Sequence, residues 1–252
     1  MSQKNLSDVA VVVLAAGRGT RLGCVDRPKV MLELGGKPMV AHTVETLKKL
    51  GLGKEQICLV VGFQKDKVKE HFGDTVTYAD QDEQLGTAHA AYTGMCTLPS
   101  HIKHVLVMGG DDSAFYTPET LRKFIEQHLD KDVHLTLLSS EMLEPRNLGR
   151  VVRYSDGRID VVEKENLTEE QKLLTEINTG TFMFNRAWFQ NMFPTMPKIE
   201  KLGEYGLPTA MTMVRDAGLP HQVIKLENPG EWFGVNTPEE LEEAKKRKGV
   251  NG

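Results

Sequence analysis

The first half of the chain alternates between short apolar runs and stretches whose apolar residues recur at helical spacing. Residues 9–13 are apolar without interruption, which is typical of a strand buried on both faces. Residues 38–50 have apolar positions near helical spacing, with Pro38 at the start and Gly51 after the end, as helices often do. The same patterns predict strands at 57–61, 75–78 and 104–108, and helices at 66–72, 88–96 and 117–129.

After the apolar segment 133–138 the pattern changes. Segments 151–154 and 158–162 flank Ser155-Asp156-Gly157, a strong turn signal that predicts a β-hairpin. Thr237 and Pro238 begin a charged final helix, with the threonine as N-cap and the proline in the first turn. The remaining pattern predicts strands at 181–184 and 223–226 and a helix at 208–217.

These elements predict an α/β fold with a Rossmann-like sheet that is mixed but mostly parallel and covered by helices on both faces. The later strands are expected to form a small antiparallel lobe beside that sheet. We expect a single domain over residues 1–252, with a first half at about 1–140, the lobe at about 141–230 and a closing helix at 237–248.

The composition is that of an ordinary soluble globular protein, with 40% hydrophobic and 26% charged residues. A net charge of −4 argues against general binding to nucleic acid or to a membrane surface. Cys24, Cys58 and Cys96 are scattered and lack the spacing of metal ligands. Reduced thiols and the lack of a signal peptide predict a cytoplasmic protein. The oligomeric state is not indicated by any pattern in the sequence.

The strongest candidate chemistry follows the first apolar run, at residues 14–29 (LAAGRGTRLGCVDRPK). Gly17 and Gly19 lack a Cβ, so their backbone N–H groups can approach a ligand closely and adopt positive φ. Such a turn can present several N–H donors to a phosphate chain. Several cations follow in the same stretch, against a single acid, Asp26: they are Arg18, Arg21, Arg27 and Lys29. The turn therefore predicts a polyphosphate site, although a plain β-to-α turn with solvated arginines is the alternative.

Two common glycine motifs do not fit. The spacing Gly17-x-Gly19-x-x-x-Gly23 misses the dinucleotide fingerprint by one residue, which disfavours a dehydrogenase. No G-x-x-x-x-G-K-[ST] stretch occurs, because Pro38 follows Gly36-Lys37, so the turn is not a P-loop.

Taken together, residues 14–40 resemble the signature of the nucleotidyltransferases that make nucleoside-diphosphate sugars. The chain is most similar to the uridylyltransferase half of bacterial UDP-N-acetylglucosamine pyrophosphorylase. The similarity recurs in the family's order along nearly the whole chain, at QDEQLGTAH (81–89), Gly110-Asp111, Gly149-Arg150, EINTG (176–180) and Gly234-Val235-Asn236. The resemblance implies the nucleotide-diphospho-sugar transferase fold, with a nucleotide-binding first half and a sugar-binding lobe.

The resemblance also implies a reaction. A sugar-1-phosphate oxygen attacks the α-phosphorus of UTP and expels pyrophosphate, giving UDP-N-acetylglucosamine when the sugar is N-acetylglucosamine. Arg21 and Lys29 match the family's catalytic cations on the triphosphate and the departing pyrophosphate. Asp111 and Asn236 match its magnesium ligands, and one carboxylate with one amide oxygen suits an ion that keeps several waters.

The remaining matches assign the two substrate subsites. Glutamine amides both donate and accept, which suits the mixed edge of uracil, and a carboxylate such as Glu163 accepts two hydrogen bonds from sugar hydroxyls. The residues matching nucleotide-binding positions are Leu14, Ala16, Gly17, Gly19, Gln81, Gln84, Gly86 and Thr87. Those matching sugar-phosphate positions are Gly149, Glu163, Asn178 and Thr179. His89 is expected to be a packed core histidine rather than a catalyst.

Some positions depart from the family. An aromatic residue usually precedes Gly-Asp and a proline soon follows it, whereas this chain has Gly109 before the motif and Asp112-Ser113 after it. A GEYYxTD-like stretch reads GEYGLPT here, with Gly206 and Thr209 at the changed positions. Both departures are expected near the sugar pocket, so they leave the sugar open. Another sugar-1-phosphate, another base, or a sugar-nucleotide-binding regulatory protein without catalysis are the alternatives.

In the bifunctional bacterial enzymes, the uridylyltransferase half continues into a left-handed β-helix that carries acetyl transfer. Its hexapeptide repeats do not occur in residues 1–252. We therefore expect no β-helix and no acetyltransferase activity in this chain.

Overall fold

The computed structural model describes residues 4–145 and 148–250. The ends of the predicted domain and two residues of the predicted lobe, 146 and 147, lie outside the described residues. The strands are β1 (Val9–Ala15), β2 (Glu33–Leu34), β3 (Lys37–Pro38), β4 (Ile57–Val61), β5 (Thr77–Asp80), β6 (His104–Gly109), β7 (Leu135–Glu141), β8 (Arg150–Arg153), β9 (Ile159–Val162), β10 (Glu176–Asn185) and β11 (His221–Lys225). The α-helices are α1 (Met39–Lys49), α2 (Lys65–Phe72), α3 (Thr87–Thr97), α4 (Pro118–Leu129), α5 (Glu169–Lys172), α6 (Arg186–Met192), α7 (Thr209–Asp216) and α8 (Pro238–Val250).

One large mixed sheet organises the molecule. Its strand order is β11-β7-β10-β6-β1-β4-β5, with the β8–β9 hairpin attached to β10. β1 runs parallel to β4 and β6, and β4 runs parallel to β5, as the alternation of strands and helices predicts. None of the helices in the described part of the chain is long and apolar enough to cross a membrane.

β1 lies at the centre because it has apolar side chains on both faces. Val9, Val11 and Val13 pack in one hydrophobic cluster with α1 and α4. Ala10 and Val12 pack in a second cluster with α3, α6 and α7 on the opposite face. The first five residues of β1 have 0% exposure, which accounts for the uninterrupted apolar run in the sequence. Helices therefore cover both faces of the sheet, as the sequence pattern predicts.

β10 differs from the sequence-based expectation. The apolar segment 181–184 is predicted to belong to an antiparallel lobe, whereas β10 lies within the main sheet and runs antiparallel to both β6 and β7. The physical reason is that Phe182, Met183 and Phe184 are all fully buried, so the strand needs cover on both faces. The register with β7 shifts between Asn178 and Thr181. Asn178 and Gly180, at this bulge, line the candidate site.

α6 is not predicted from the sequence. Its first residue, Arg186, hydrogen-bonds to the segment around the end of α3. Asn185 caps the helix by accepting from the Trp188 N–H at 3.0 Å. The Arg186 guanidinium donates to the carbonyls of Met95, Leu98, Pro99 and Ile102 at 2.6–3.2 Å, around the end of α3. Arg186 therefore holds the helix whose opposite end forms part of the candidate site.

We expect Arg186→Met to lower the free energy of unfolding by about 2–4 kcal/mol, because several buried carbonyls lose a charged donor. Arg122→Met is a matched control, since Arg122 donates to one such carbonyl, that of Leu50, at 2.8 Å. Its expected loss is about 1 kcal/mol. Urea denaturation followed by circular dichroism measures both. Equal losses in the two variants would contradict the role given to Arg186.

Candidate active site

The candidate site lies at the carboxyl ends of the central strands, where open α/β sheets place ligands. A cavity of about 440 Å³ opens there between the turn after β1, the end of β6 and the bulge of β10. A second cavity of about 1230 Å³ shares Thr87, Glu163, Glu204 and Pro208 with it, so the two form one cleft. The sequence-predicted residues that line this cleft are Leu14, Ala16, Gly17, Arg21, Lys29, Gln81, Gln84, Gly86, Thr87, Asp111, Glu163, Asn178 and Asn236.

The glycine-rich turn brings the two candidate cations to the cleft. Two short 3₁₀ turns, Thr20–Leu22 and Lys29–Met31, carry Arg21 and Lys29. Gly19 has a φ of +72°, and a Cβ built on it would lie 2.6 Å from the Cβ of Lys29. Any other residue at this position would strain the backbone and displace Lys29. Gly19 therefore acts behind the cleft, by allowing the close approach of Lys29.

Four predicted residues from distant parts of the chain meet in one cluster of charged and amide groups. Lys29 Nζ forms an ion pair with Asp111 Oδ2 and donates to Asn236 Oδ1 at 2.9 Å. Arg21 Nη2 donates to the same Asn236 oxygen at 3.4 Å. The Val235 N–H donates to the Asp111 carbonyl at 3.2 Å, which fixes the two oxygen-bearing residues side by side. Cations and oxygen donors thus face each other across a few ångströms.

Asp111 and Asn236 could hold a divalent cation. Both side-chain oxygens already contact one ammonium group, that of Lys29, so they reach a common cation position. Over residues 4–145 and 148–250, no group of three or more His, Cys, Asp or Glu side chains could hold a metal ion. A sparse set of one carboxylate and one amide oxygen suits magnesium, which completes its coordination with waters and phosphate oxygens.

Gln81 and Gln84 lie on the other side of the glycine turn. Gln81 is 4% exposed, and its Nε2 donates to the Gly86 carbonyl at 3.2 Å and lies 3.0 Å from His89 Nδ1. Gln84 Nε2 donates to the Ala16 carbonyl at 2.7 Å. Because both amide nitrogens donate within the protein, the amide oxygens are the atoms positioned to accept from a bound ligand. His89 is only half-buried and lies within hydrogen-bond distance of Gln81, so it is not the fully packed core histidine expected from the sequence.

Backbone carbonyls at the end of β1 already accept hydrogen bonds within the protein. The Leu14 carbonyl accepts from the Gly110 N–H at 2.9 Å, and the Ala16 carbonyl accepts from Gln84. A Cβ on Gly17 would meet no atom within 4 Å, so the packing of the protein does not itself require glycine there. Gly17 is exposed at the mouth of the cleft, where its N–H remains close to any group that enters.

A second loop fastens the start of α3. The Tyr205 N–H donates to the Leu85 carbonyl, and the Ala88 N–H donates to the Tyr205 carbonyl, both at 2.8 Å. Gly86, with φ +104°, lies so close that a Cβ would stand 2.5 Å from the Tyr205 carbonyl oxygen. Thr87 Oγ1 accepts from the Leu207 N–H at 3.0 Å. Gly86 and Thr87 therefore shape the cleft by holding this loop, a function that their sequence positions do not reveal.

Glu163 and Asn178 line the side of the cleft formed by the hairpin and β10. Burial raises the pKa of the Glu163 carboxyl, and the charge of Glu165 raises it further. A Cβ on Gly149 would stand 3.0 Å from the Val162 carbonyl and 3.4 Å from Glu163 Oε2. Gly149 therefore makes room for Glu163 rather than lining the cleft itself.

Thr179 is placed differently from the expectation. It is 1% exposed, and its Oγ1 donates to the Leu138 carbonyl at 2.5 Å, away from the cleft. Its own carbonyl accepts from Trp232 Nε1 at 3.0 Å. The register shift at the bulge turns this side chain into the core. The side chain of Thr179 is therefore structural in β10 and does not line the cleft.

Asp112 is a cleft residue that sequence reasoning does not assign to the site. It lines the smaller cavity, and its Oδ1 atom is buried without a hydrogen-bond partner among the described residues. Burial raises the pKa of this carboxyl well above its usual range, and the charge of Asp111 adds to the effect. The signal in the sequence is the departure from the family after Gly110-Asp111, where this chain has Asp112-Ser113.

Comparisons with known proteins identify the family to which the chain belongs. A model of the MobA-like NTP transferase domain matches residues 11–164. The chain belongs to the MobA-like NTP transferase family. The match includes most of β1, the glycine-rich turn, Lys29 and Asp111, so the recognition of a nucleotidyltransferase from its motifs is confirmed.

Curated relatives and solved structures agree with this family. The chain is 37% identical over 245 residues to the bifunctional protein GlmU of Symbiobacterium thermophilum, covering 96% of the chain and 51% of the relative. It is 37% identical over 242 residues to GlmU of Geobacter metallireducens, covering 95% and 50%. The chain thus spans about half the length of these relatives.

A solved structure shares the fold. It is that of a putative glucose-1-phosphate thymidylyltransferase from Bacillus anthracis, in complex with a sucrose, and it superposes with a TM-score of 0.79. The superposition covers 94% of both chains at 21% identity. At this identity, the comparison confirms the nucleotidyltransferase-like architecture of the family member described here.

Proposed function

We propose that this nucleotidyltransferase transfers a uridylyl group from UTP to N-acetylglucosamine 1-phosphate, with magnesium as its cofactor. The observation that carries the proposal is the meeting of Arg21 and Lys29 with Asp111 and Asn236 at one end of a cleft. Phosphate-binding cations opposite a pair of oxygen donors are what phosphoryl-type transfer requires. The similarity to GlmU proteins over nearly the whole chain supports the choice of substrates.

In the proposed reaction, a phosphate oxygen of the sugar phosphate attacks the α-phosphorus of UTP. The new P–O bond forms as the bond to pyrophosphate breaks, so the leaving group takes the electron pair. Lys29 and Arg21 neutralise the triphosphate and the departing pyrophosphate, and the glycine-rich turn offers N–H donors. Asp111 and Asn236 would hold magnesium, which supplies charge stabilisation between the two phosphate substrates. Alignment and charge neutralisation account for most of the rate.

The glutamine pair supports uracil as the base. The N3–H of uracil is a hydrogen-bond donor. Gln81 and Gln84 line the cleft, and in the described residues their amide nitrogens, not their amide oxygens, bond within the protein, which leaves the oxygens as acceptors. Cytosine has an acceptor nitrogen at the corresponding position, so it would meet an acceptor and lose the contact.

Glu163, just after the β8–β9 hairpin, and Asn178, in β10, support a sugar on the opposite side of the cleft. The Glu163 carboxyl can accept from sugar hydroxyls, and the Asn178 amide offers a donor and an acceptor. Asn178 Oδ1 accepts from the Gly180 N–H at 2.9 Å, so its NH₂ group is the part directed toward a ligand.

The test is a matrix of sugar 1-phosphates against the four nucleoside triphosphates, followed by pyrophosphate release with magnesium. We expect UTP with N-acetylglucosamine 1-phosphate to exceed every other pair in kcat/KM by at least about tenfold. Strong turnover of glucose 1-phosphate without N-acetylglucosamine turnover would reject the proposed sugar. UTP binding without turnover on any sugar phosphate would instead identify a regulatory binding protein.

A further inference from the structure

Asp112 carries an unused hydrogen-bonding group inside the cleft. It follows β6 directly after Asp111, and its Oδ1 atom is buried without a partner in the described part of the chain. A buried carboxylate oxygen without a donor is costly, because it has lost its water and gained nothing in exchange. Such a group is retained in a folded protein where a ligand supplies the missing donor.

Two glycines make room for this carboxyl group. A Cβ on Gly109 would stand 2.8 Å from Asp112 Oδ1 and 3.0 Å from its Cγ. A Cβ on Gly180, whose φ is +77°, would stand 3.4 Å from Asp112 Oδ2. The same Cβ on Gly109 would lie 2.8 Å from Asp111 Oδ1, so a side chain at position 109 would displace the carboxyl groups of both Asp111 and Asp112. Glycine at position 109 therefore allows both carboxyl groups to lie where they do at the wall of the cleft.

The neighbouring hydroxyl groups already have partners. The Tyr116 hydroxyl pairs with Thr181 Oγ1 at 3.1 Å. Ser113 Oγ donates to the Gly109 carbonyl and lies 2.9 Å from Thr43 Oγ1. Asp112 therefore lines the cavity while its buried Oδ1 atom has no hydrogen-bond partner in the described part of the chain.

The nearby cation Lys29 also has other partners. Lys29 Nζ contacts Asp111 and Asn236, and no bond from it to Asp112 is present in the described residues. Among the described residues, Asp112 Oδ1 therefore has no hydrogen-bond partner, although the backbone N–H of Asp112 lies close enough to its own carboxyl group to lower its pKa slightly against the larger effect of burial. What remains is the cavity itself, which Asp112 lines together with Asn178 and Gly180.

We propose that Asp112 accepts a hydrogen bond from a hydroxyl or amide N–H of the sugar phosphate and determines which sugar is used. The inference rests on the proposed function, because it assigns a residue to the sugar side of that site. Asp112 lines the part of the cleft that also holds Asn178 and Glu163. A sugar ring carries several donors, and a site with a fixed buried acceptor rejects analogues that lack the matching one.

The test compares Asp112→Val and Asp112→Asn with the unchanged protein. Titration calorimetry with UDP and with UDP-N-acetylglucosamine separates the sugar contact from the nucleotide contact. We expect Asp112→Val to weaken UDP-N-acetylglucosamine roughly 10–100-fold and to leave UDP within about twofold. Asp112→Asn keeps an acceptor oxygen and is expected to lose less. Asp156→Asn, at the exposed tip of the hairpin, is the control and should bind both ligands as the unchanged protein does.

Turnover gives a second measurement. In Asp112→Val, the KM for the sugar 1-phosphate should rise at least about tenfold while the KM for UTP stays the same. Monodeoxy sugar phosphates identify the donor: the unchanged protein should discriminate against one of them, and Asp112→Val should not. Two results in Asp112→Val would overturn the proposal. Equal losses of affinity for UDP and UDP-N-acetylglucosamine would indicate that Asp112 contacts the phosphates, and a higher magnesium requirement would indicate that it contacts the metal. Unchanged discrimination would overturn it in favour of a structural role.

Thermal unfolding distinguishes a ligand acceptor from a structural residue. Removing an unsatisfied buried carboxyl should raise the Tm by roughly 2–8 °C in Asp112→Val. A structural residue would lower the Tm instead. The proposed function and this inference can fail separately. If the protein turned over no substrate pair but its binding of UDP-N-acetylglucosamine still depended on Asp112, the proposed function would be refuted and this inference would hold.

Discussion

Replacing Asp111 with asparagine is expected to lower nucleotidyl transfer by about 10²–10³-fold, the largest effect expected of any carboxylate in the cleft. The change preserves shape and the Val235–Asp111 backbone bond but removes the negative charge that would hold magnesium. Steady-state pyrophosphate release at saturating substrates measures the loss. Binding of Mn²⁺ in the presence of UTP, followed by electron paramagnetic resonance, should weaken in parallel.

Asp130→Asn is a matched control for this change. Asp130 is an exposed carboxylate at the end of α4, paired with Lys4 at 2.5 Å and remote from the cleft. Its turnover should stay within about twofold of the unchanged protein, since surface ion pairs contribute little. If Asp111→Asn kept its turnover and its Mn²⁺ affinity, Asp111 would no longer be a candidate metal ligand.

Lys29→Met is expected to have two opposite effects. Turnover should fall by about 10²–10³-fold, because a cation on the triphosphate is lost. Mn²⁺ binding without nucleotide should tighten by roughly tenfold, because the Lys29 ammonium now occupies the oxygens of Asp111 and Asn236. The opposite signs separate a residue that competes with the metal from one that only supports the fold.

Lys37→Met provides the comparison for Lys29. Lys37 forms an exposed ion pair with Glu45 at 2.7 Å, outside the cleft. This variant should change neither turnover nor Mn²⁺ affinity. Weaker Mn²⁺ binding in Lys29→Met would show that the lysine helps to form the metal site, contrary to our interpretation.

The sequence was informative about the fold wherever burial is simple. The run at 57–61 predicts β4 at its observed bounds, because a strand covered on both faces is apolar throughout. Thr117 caps α4 as predicted, by accepting from the Thr120 N–H at 3.2 Å. The central position of β10 could not be predicted, because an apolar segment does not reveal which strands it pairs with. α6 escaped prediction because it is short and follows β10 without a break.

The candidate site was also predictable only in part: the sequence identified most of its residues but not the orientation of their side chains. The motifs name residues that the fold brings into one cleft, including Arg21 and Asn236, which are separated by 215 positions. They do not say which way each side chain faces. Thr179 points into the core because a bulge lies beside it, and bulges leave little trace in a single sequence. Asp112 needed the structure for a different reason, since an unsatisfied atom is defined by neighbours that the sequence does not list.

The hydrogen bond from the Val235 N–H to the Asp111 carbonyl joins the segment before α8 to the middle of the sheet. Asn236 depends on that junction, and α8 follows it immediately. Contacts between such remote segments carry a high loop-closure cost and tend to form late in folding. Local unfolding of the segment that carries Asn236 would therefore separate it from Asp111 while the Rossmann-like layers stayed folded. A melting curve of the whole molecule would then overestimate the temperature up to which the cluster of Arg21, Lys29, Asp111 and Asn236 remains assembled.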